Sequence, residues 1–321
     1  MNSPSTFPRR SAIAGAVVWA LLLLTVTADF APIDLIHKVV LFAVFVIVPS
    51  GLSLIAPDHR LGNLFLYKIV VVVQPIAAIA TAASFFFEKG AVSALLASPW
   101  LILDSLIALF GLTRLTSRRG FSPVAELSID AGLLYLPVAG VWLVIYRLGI
   151  QPFDYGETII LLTAVHFHFT GFATPIIAGM SGRVLAAREH GDKIFILVVF
   201  GTVAAMPLVA AGITFTPLLG LIGTLLLSTA LILLAVLNII WVRPAIDSAL
   251  SRTLLIVGAV SSCTAMVLAS LYSYSLVAHT VILTIPGMAV THGLLNAFGF
   301  VTCSFLAWII MGHKTAPKKF S

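Results

Sequence analysis

Ten stretches of roughly twenty apolar residues follow one another along this chain, joined by loops of about a dozen residues at most. A helix of about 20 apolar residues crosses a bilayer core of roughly 30 Å. Lipid offers the backbone no hydrogen bonds, so a spanning segment must satisfy its N–H and C=O groups internally, as a helix does. The stretches run approximately 12–28, 33–56, 64–86, 91–113, 124–146, 158–180, 194–214, 217–241, 253–275 and 287–311. The expected fold is therefore all-α: a polytopic transmembrane helix bundle forming a single transmembrane domain over residues 1–321. Composition agrees. Sixty per cent of residues are apolar and 9% are charged, against roughly 25% charged in soluble domains.

The loops orient the bundle. With a cytoplasmic N-terminus, the inner side receives Arg9, Arg10, Arg60, Lys68, Arg114, Arg118, Arg119, Arg183, Arg188, Lys193, Arg243, Arg252, Lys314, Lys318 and Lys319. The outer side receives Lys38, Lys89 and Arg147. An excess of Lys and Arg marks the cytoplasmic face, so the N-in/C-in arrangement is expected. The net charge of +6 is spread over these loops and forms no patch for nucleic acid. Two segments carry a second reading. Pro8-Arg9-Arg10, an apolar run and Val26-Thr27-Ala28 also resemble a cleavable secretory signal, although retention as a helix is preferred; Asp29 and Asp34 fit either. Apolar residues run nearly unbroken from Thr253 to Ile285, which leaves room for a re-entrant piece.

Ionisable residues inside such spans cost about 2.5–3.5 kcal/mol at the bilayer centre, and they face the bundle interior, where they often mark function. Here they are Asp104, Glu126, Asp130, His166, His168 and His292, with Gln74, Asn238, Asn296, Tyr135 and Tyr272 beside them. At about 1.5 Å per residue, Asp104, His166, His168, His292 and Asn296 fall in one outer-to-middle layer. That layer is either a single polar site or a set of separate interhelical hydrogen bonds. Asp104 is the deepest acid. Desolvation there would favour the protonated form, suited to a general acid or to a proton-coupled carrier. Glu126 and Asp130 lie four apart on one helix face. Glu126 follows Ser122-Pro123 in the first turns, where the positive helix end explains it. Asp130 lies deeper and is a candidate second acid.

Around the histidines the sequence reads His166-Phe167-His168-Phe169-Thr170-Gly171-Phe172, then Pro175 and Gly179. Turning about 100° per residue on a regular helix, His166 and His168 point some 200° apart and cannot bind one ion together. One of them facing a cavity would be a base or proton carrier; both bonded to neighbouring helices would be structural. Pro175 can kink the helix, and Gly171 and Gly179 allow close approach of a neighbour. Near the end, His292 and Asn296 at i and i+4 share one face. His168-Phe169-Thr170-Gly171-Phe172 and Asn296-Ala297-Phe298-Gly299-Phe300 echo each other over five residues, too few for an internal repeat.

Cys263 and Cys303 lie in apolar stretches without CxxC spacing and read as small core residues. HExxH, GxSxG, P-loop and DxxD motifs are all missing from the sequence. No cofactor motif is legible. A metal set drawn from His166 or His168, His292 and Asp104 has no specific spacing, and no metal is assigned.

The chain resembles the YndJ-like family of bacterial polytopic membrane proteins. The resemblance rests on Ala164-Val165-His166-Phe167-His168-Phe169-Thr170-Gly171-Phe172-Ala173, on His292-Gly293 with Asn296-Ala297-Phe298-Gly299-Phe300, and on Val48-Pro49-Ser50-Gly51-Leu52. It implies a bacterial inner-membrane location and marks positions without assigning chemistry. His-Phe-His with Gly-Phe is also distantly similar to the histidine motifs of haem-copper proteins, but their further paired histidines are missing here.

Three functions remain open. The first is an intramembrane acid-base enzyme of cyclase or isomerase type on a lipophilic biosynthetic substrate. It would use Asp104, Asp130, His166, His168, His292 and Asn296, with no cofactor. The second is a proton-coupled small-molecule transporter. The third is a metal- or haem-binding redox or sensor protein. The expected partners are the bilayer and a lipophilic small molecule, with no nucleic acid.

Overall fold

The computed structural model describes residues 5–25, 34–56, 62–118 and 121–312. Arg60, Arg119, Lys314, Lys318, Lys319, Asp29 and the Val26-Thr27-Ala28 segment lie outside them. Among the described residues there is no strand, and ten helices are long and apolar enough to cross a membrane. They are α1 Thr6–Leu24, α2 Leu35–Leu54, α3 Leu64–Ser84, α4 Ala91–Ser117, α5 Val124–Leu148, α6 Glu157–Ala187, α7 Lys193–Thr214, α8 Pro217–Ala245, α9 Ala249–Val277 and α10 Ile285–Met311. The ninth is one continuous helix, and the chain then turns through a short loop into α10. No re-entrant piece forms there.

The helices group into two compact units. The first takes residues 1–121 and 130–173; the second takes residues 122–129 and 174–321. In the first, α2 is the enclosed element, 78% buried over its apolar window, and α1 is the outermost at 17%.

Several spans are not regular α-helices. Wide π-helical turns occupy Ala43–Ile47 in α2, Phe167–Ala173 in α6, Asn238–Val242 in α8, and Ala289–Gly293 and Leu295–Thr302 in α10. Proline explains two of them. Pro49 and Pro175 each follow a wide turn, and each lacks the N–H that would bond the carbonyl four or five residues earlier. In α2 the carbonyls left behind find other partners. The Gln74 amide serves one of them, its Nε2 donating to the Val44 carbonyl at 3.0 Å, while Ser11 Oγ donates to Gln74 Oε1. Gly15 of α1 packs so closely on the Phe45 carbonyl that a Cβ there would lie 2.0 Å from the oxygen. In α10 the side chains of Thr302 and Cys303 donate to the carbonyls of Ala297 and Phe298, five residues back. The Val48-Pro49-Ser50-Gly51-Leu52 and His-Phe-His segments thus border or occupy the widened turns.

Small residues set the packing of the second unit. A Cβ on Gly212 would lie 2.1 Å from Gly220 Cα, and one on Gly223 would lie 2.7 Å from Val209 N. α7 and α8 therefore touch backbone to backbone, the usual way helices associate in lipid. Between α9 and α10, Gly258 faces the Ser304 side chain and Gly299 the Ser261 side chain, each too close to admit a Cβ.

Candidate functional site

Asp104 sits midway along α4, wholly enclosed. Neither carboxyl oxygen has a hydrogen-bond partner among the described residues. Gly140 of α5 makes the room for it: a Cβ at that position would lie 2.7 Å from Asp104 Oδ2 and 2.9 Å from Leu101 Cα. A buried polar group left without partners is costly, and an isolated carboxylate far more so.

One turn before it on the same face of α4 is Trp100, also fully buried. Its indole Nε1–H donates to His168 Nε2 at 3.0 Å. The other ring nitrogen, His168 Nδ1, lies 2.8 Å from the Ala164 carbonyl. An indole N–H can only donate and a carbonyl can only accept. His168 is therefore neutral, protonated on Nδ1, with both nitrogens engaged. His166, two residues earlier, is exposed, and its Nδ1 lies 2.7 Å from the Leu162 carbonyl. One imidazole lies inside the unit and the other on its surface, even though the helix widens at Phe167.

Asp130 has the counter-charges that Asp104 lacks among the described residues. Arg114 Nε donates to its Oδ1 at 2.7 Å, and the Arg118 guanidinium meets its Oδ2. All three side chains are buried. Glu126, in the second unit, is likewise held by Arg183, whose Nε and Nη2 reach its two oxygens at 2.6 and 2.9 Å. Sequence reading placed these arginines in cytoplasmic loops and gave neither acid a partner.

In the second unit His292 and Asn296 meet as their spacing suggests. Asn296 Nδ2 donates to the His292 carbonyl at 3.0 Å and lies 3.1 Å from the ring Nε2. His292 Nδ1 is 2.8 Å from the Ala265 carbonyl of α9. Both side chains are half-buried. The echoing pentapeptides both fall in wide turns, one in each unit.

Sequence reading missed a further polar cluster in the first unit. His37 Nε2 lies 2.6 Å from Tyr146 Oη. Lys89 stands 4.2 Å from the Tyr146 ring centroid and pairs with Glu157 at 2.5 Å. Arg147 donates from Nη2 to the carbonyls of Ser84 and Phe87 at the end of α3. His37 stands near a helix start, and nothing in the local sequence marks it out, because its partner Tyr146 is 109 residues away. Asp34 caps that start, accepting from the N–H groups of Ile36 and His37. The His37 hydrogen bond outweighs partial burial and holds the Asp34 carboxyl at about 2, below its ordinary 3.8. Among the described residues no three His, Cys, Asp or Glu side chains gather so as to hold a metal ion.

Comparison with known proteins gives a family and no activity. The family model for YndJ-like protein matches residues 38–300, a range that holds Asp104, Asp130, His166, His168, His292 and Asn296. An uncharacterized membrane protein YndJ of Bacillus subtilis (strain 168) is 28% identical over 303 residues, covering 93% of this chain and 53% of that protein. The chain spans about half the length of the curated relative it matches. No solved structure matches.

Proposed function

The chain belongs to the YndJ-like family of membrane proteins, and we propose that it is a proton-coupled carrier of a lipophilic small molecule, with Asp104 as the group that takes up and releases the proton. It resides in the inner membrane with both termini in the cytoplasm, a reading supported by the excess of Lys and Arg on that side.

The observation that carries the proposal is the sealed carboxyl of Asp104, fully buried with neither oxygen hydrogen-bonded among the described residues. An acid at membrane depth with no structural partner is a functional candidate by default. The surroundings favour a carrier over an enzyme. Acid-base catalysis calls for a second proton-handling group beside the acid. His168 has both nitrogens committed, to Trp100 and Ala164. Asp130 is held between Arg114 and Arg118. A carrier needs one proton site and a bundle able to open around it. The interrupted spans, with wide turns in α2, α6, α8 and α10 and Pro75, Pro99 and Pro137 within α3, α4 and α5, suit that motion.

The intramembrane acid-base enzyme stays as the second reading because Asp104 and the Trp100–His168 pair share one face of α4. If that hydrogen bond opens, His168 Nε2 becomes a free base held against Trp100, one turn of α4 from the acid.

Reconstitution separates the two. Liposomes enclosing a pH-sensitive dye and holding the purified protein are challenged with gradients of lipophilic amines, acids and neutral compounds. The carrier reading expects compound-driven proton movement that Asp104→Asn abolishes while the protein keeps its elution profile and melting temperature. Undiminished proton movement in Asp104→Asn removes the carrier reading. Asp104-dependent conversion of a compound into a new product, without proton movement, establishes the enzyme instead.

A further inference from the structure

Resting on the reading of Asp104 as the proton-carrying group, we infer that the substrate is a lipophilic, monovalent organic cation that occupies the Asp104 carboxyl in alternation with the proton. Two features of α4 carry this. The first is the carboxyl itself, one negative charge when ionised, with neither oxygen hydrogen-bonded among the described residues. The second is the indole of Trp100 one turn away on the same face. A carboxylate beside an aromatic ring is the pairing that recognises organic cations, the first through charge and the second through its π face. An anion would be repelled. A neutral molecule would leave the ionised carboxyl without a counter-charge, a cost that a bound cation or a bound proton each removes.

Among the described residues, no other charged group on the neighbouring helices of this unit competes for the position. On α4 itself Arg114 stands ten residues away and is committed to Asp130. On α5 the titratable groups within the unit are Asp130, Tyr135, Tyr146 and Arg147. Asp130 is paired, and Tyr146 and Arg147 belong to the His37 cluster. Tyr135 packs its ring against Phe167. α6 contributes His168, neutral and doubly bonded, the exposed His166, and Glu157 at its start, paired with Lys89. α3, which packs on α4, carries Tyr67, bonded to the Leu52 carbonyl, and Lys68. Asp104 is left as the one acid of this unit's interior without a counter-charge among the described residues. One carboxyl takes one positive charge. Binding of the cation then releases one proton to water, and the proton returns when the cation leaves.

The test uses the full-length protein in detergent and tetraphenylphosphonium as the probe. Calorimetry in two buffers of different ionisation enthalpy gives the affinity and the protons released. The expected result is release of about one proton per bound cation. Affinity should tighten about tenfold per pH unit wherever proton and cation compete for a single group. Asp104→Asn and Asp104→Leu should both abolish binding while retaining the melting temperature. Binding that is indifferent to pH, or that survives in both variants, overturns the inference. Absence of tetraphenylphosphonium binding alongside Asp104-dependent proton movement with neutral or anionic compounds overturns the substrate class and leaves the carrier standing. Loss of the proton movement's dependence on Asp104 brings down both.

Discussion

The indole N–H of Trp100 donates to His168 Nε2 at 3.0 Å, and this contact fixes the tautomer of a fully buried imidazole. Trp100→Phe preserves an aromatic ring but withdraws the donor, leaving Nε2 an unpaired buried acceptor. The expected cost is about 1–3 kcal/mol, read as a fall in melting temperature in detergent. An unchanged melting temperature would mean that the hydrogen bond contributes nothing.

Asp104 and Asp130 differ in what their removal leaves behind. Asp130→Asn breaks a buried pair and strands Arg114 and Arg118, at an expected cost of about 3–5 kcal/mol. Asp104→Asn strands no described partner, so its melting temperature should match the wild type. Both variants are compared in one detergent at one pH. Equal destabilisation by the two would mean that Asp104 has a structural partner after all.

Much of this architecture is legible in the sequence because lipid is an exacting solvent. Ten apolar stretches become ten helices, most of them starting or ending within a few residues of where hydropathy places them. The first helix begins at Thr6, ahead of the apolar run, and Pro8 is tolerated because it falls in the first turn, where its missing N–H has no intrahelical acceptor. The pairing of acids with arginines is not legible, since Arg114 and Asp130 lie 16 residues apart on separate helices and only packing joins them. Sequence spacing gives His292 and Asn296 correctly as neighbours because both lie on one helix. It cannot reveal the widened turns, which depend on what becomes of carbonyls above Pro49 and Pro175. Nor can it find His37, whose partner Tyr146 is 109 residues away. Two of the three basic residues assigned to the outer side also have local reasons to be there: Lys89 pairs with Glu157, and Arg147 closes the end of α3.

Gly140 holds open the space that Asp104 occupies. Gly140→Ala would bring a methyl group to 2.7 Å from Oδ2 and 2.9 Å from the Leu101 backbone. Overpacking of this kind costs about 1–3 kcal/mol. The melting temperature should fall, and proton movement should fall with it because the carboxyl is displaced. A variant of wild-type stability and activity would show that the helices part freely there.

The Asp34 cap predicts an acid limit. Its carboxyl is held near 2 by His37, below the 3.8 of an unfolded chain. A group whose folded value is depressed stabilises the fold above its unfolded value, and that contribution is lost as pH falls through the folded one. Melting temperature should therefore drop between about pH 4 and pH 2 in the wild type. Asp34→Asn should flatten that part of the profile. A wild-type profile flat over the same interval would contradict the cap.

The central claim is that the Asp104 carboxyl carries a proton within the bundle. Infrared difference spectroscopy between wild type and Asp104→Asn in lipid reads this directly. The account predicts a protonated-carboxyl carbonyl band in the wild type that the variant lacks and that added tetraphenylphosphonium removes. A wild-type spectrum with carboxylate bands in its place, unmoved by the cation, would contradict it.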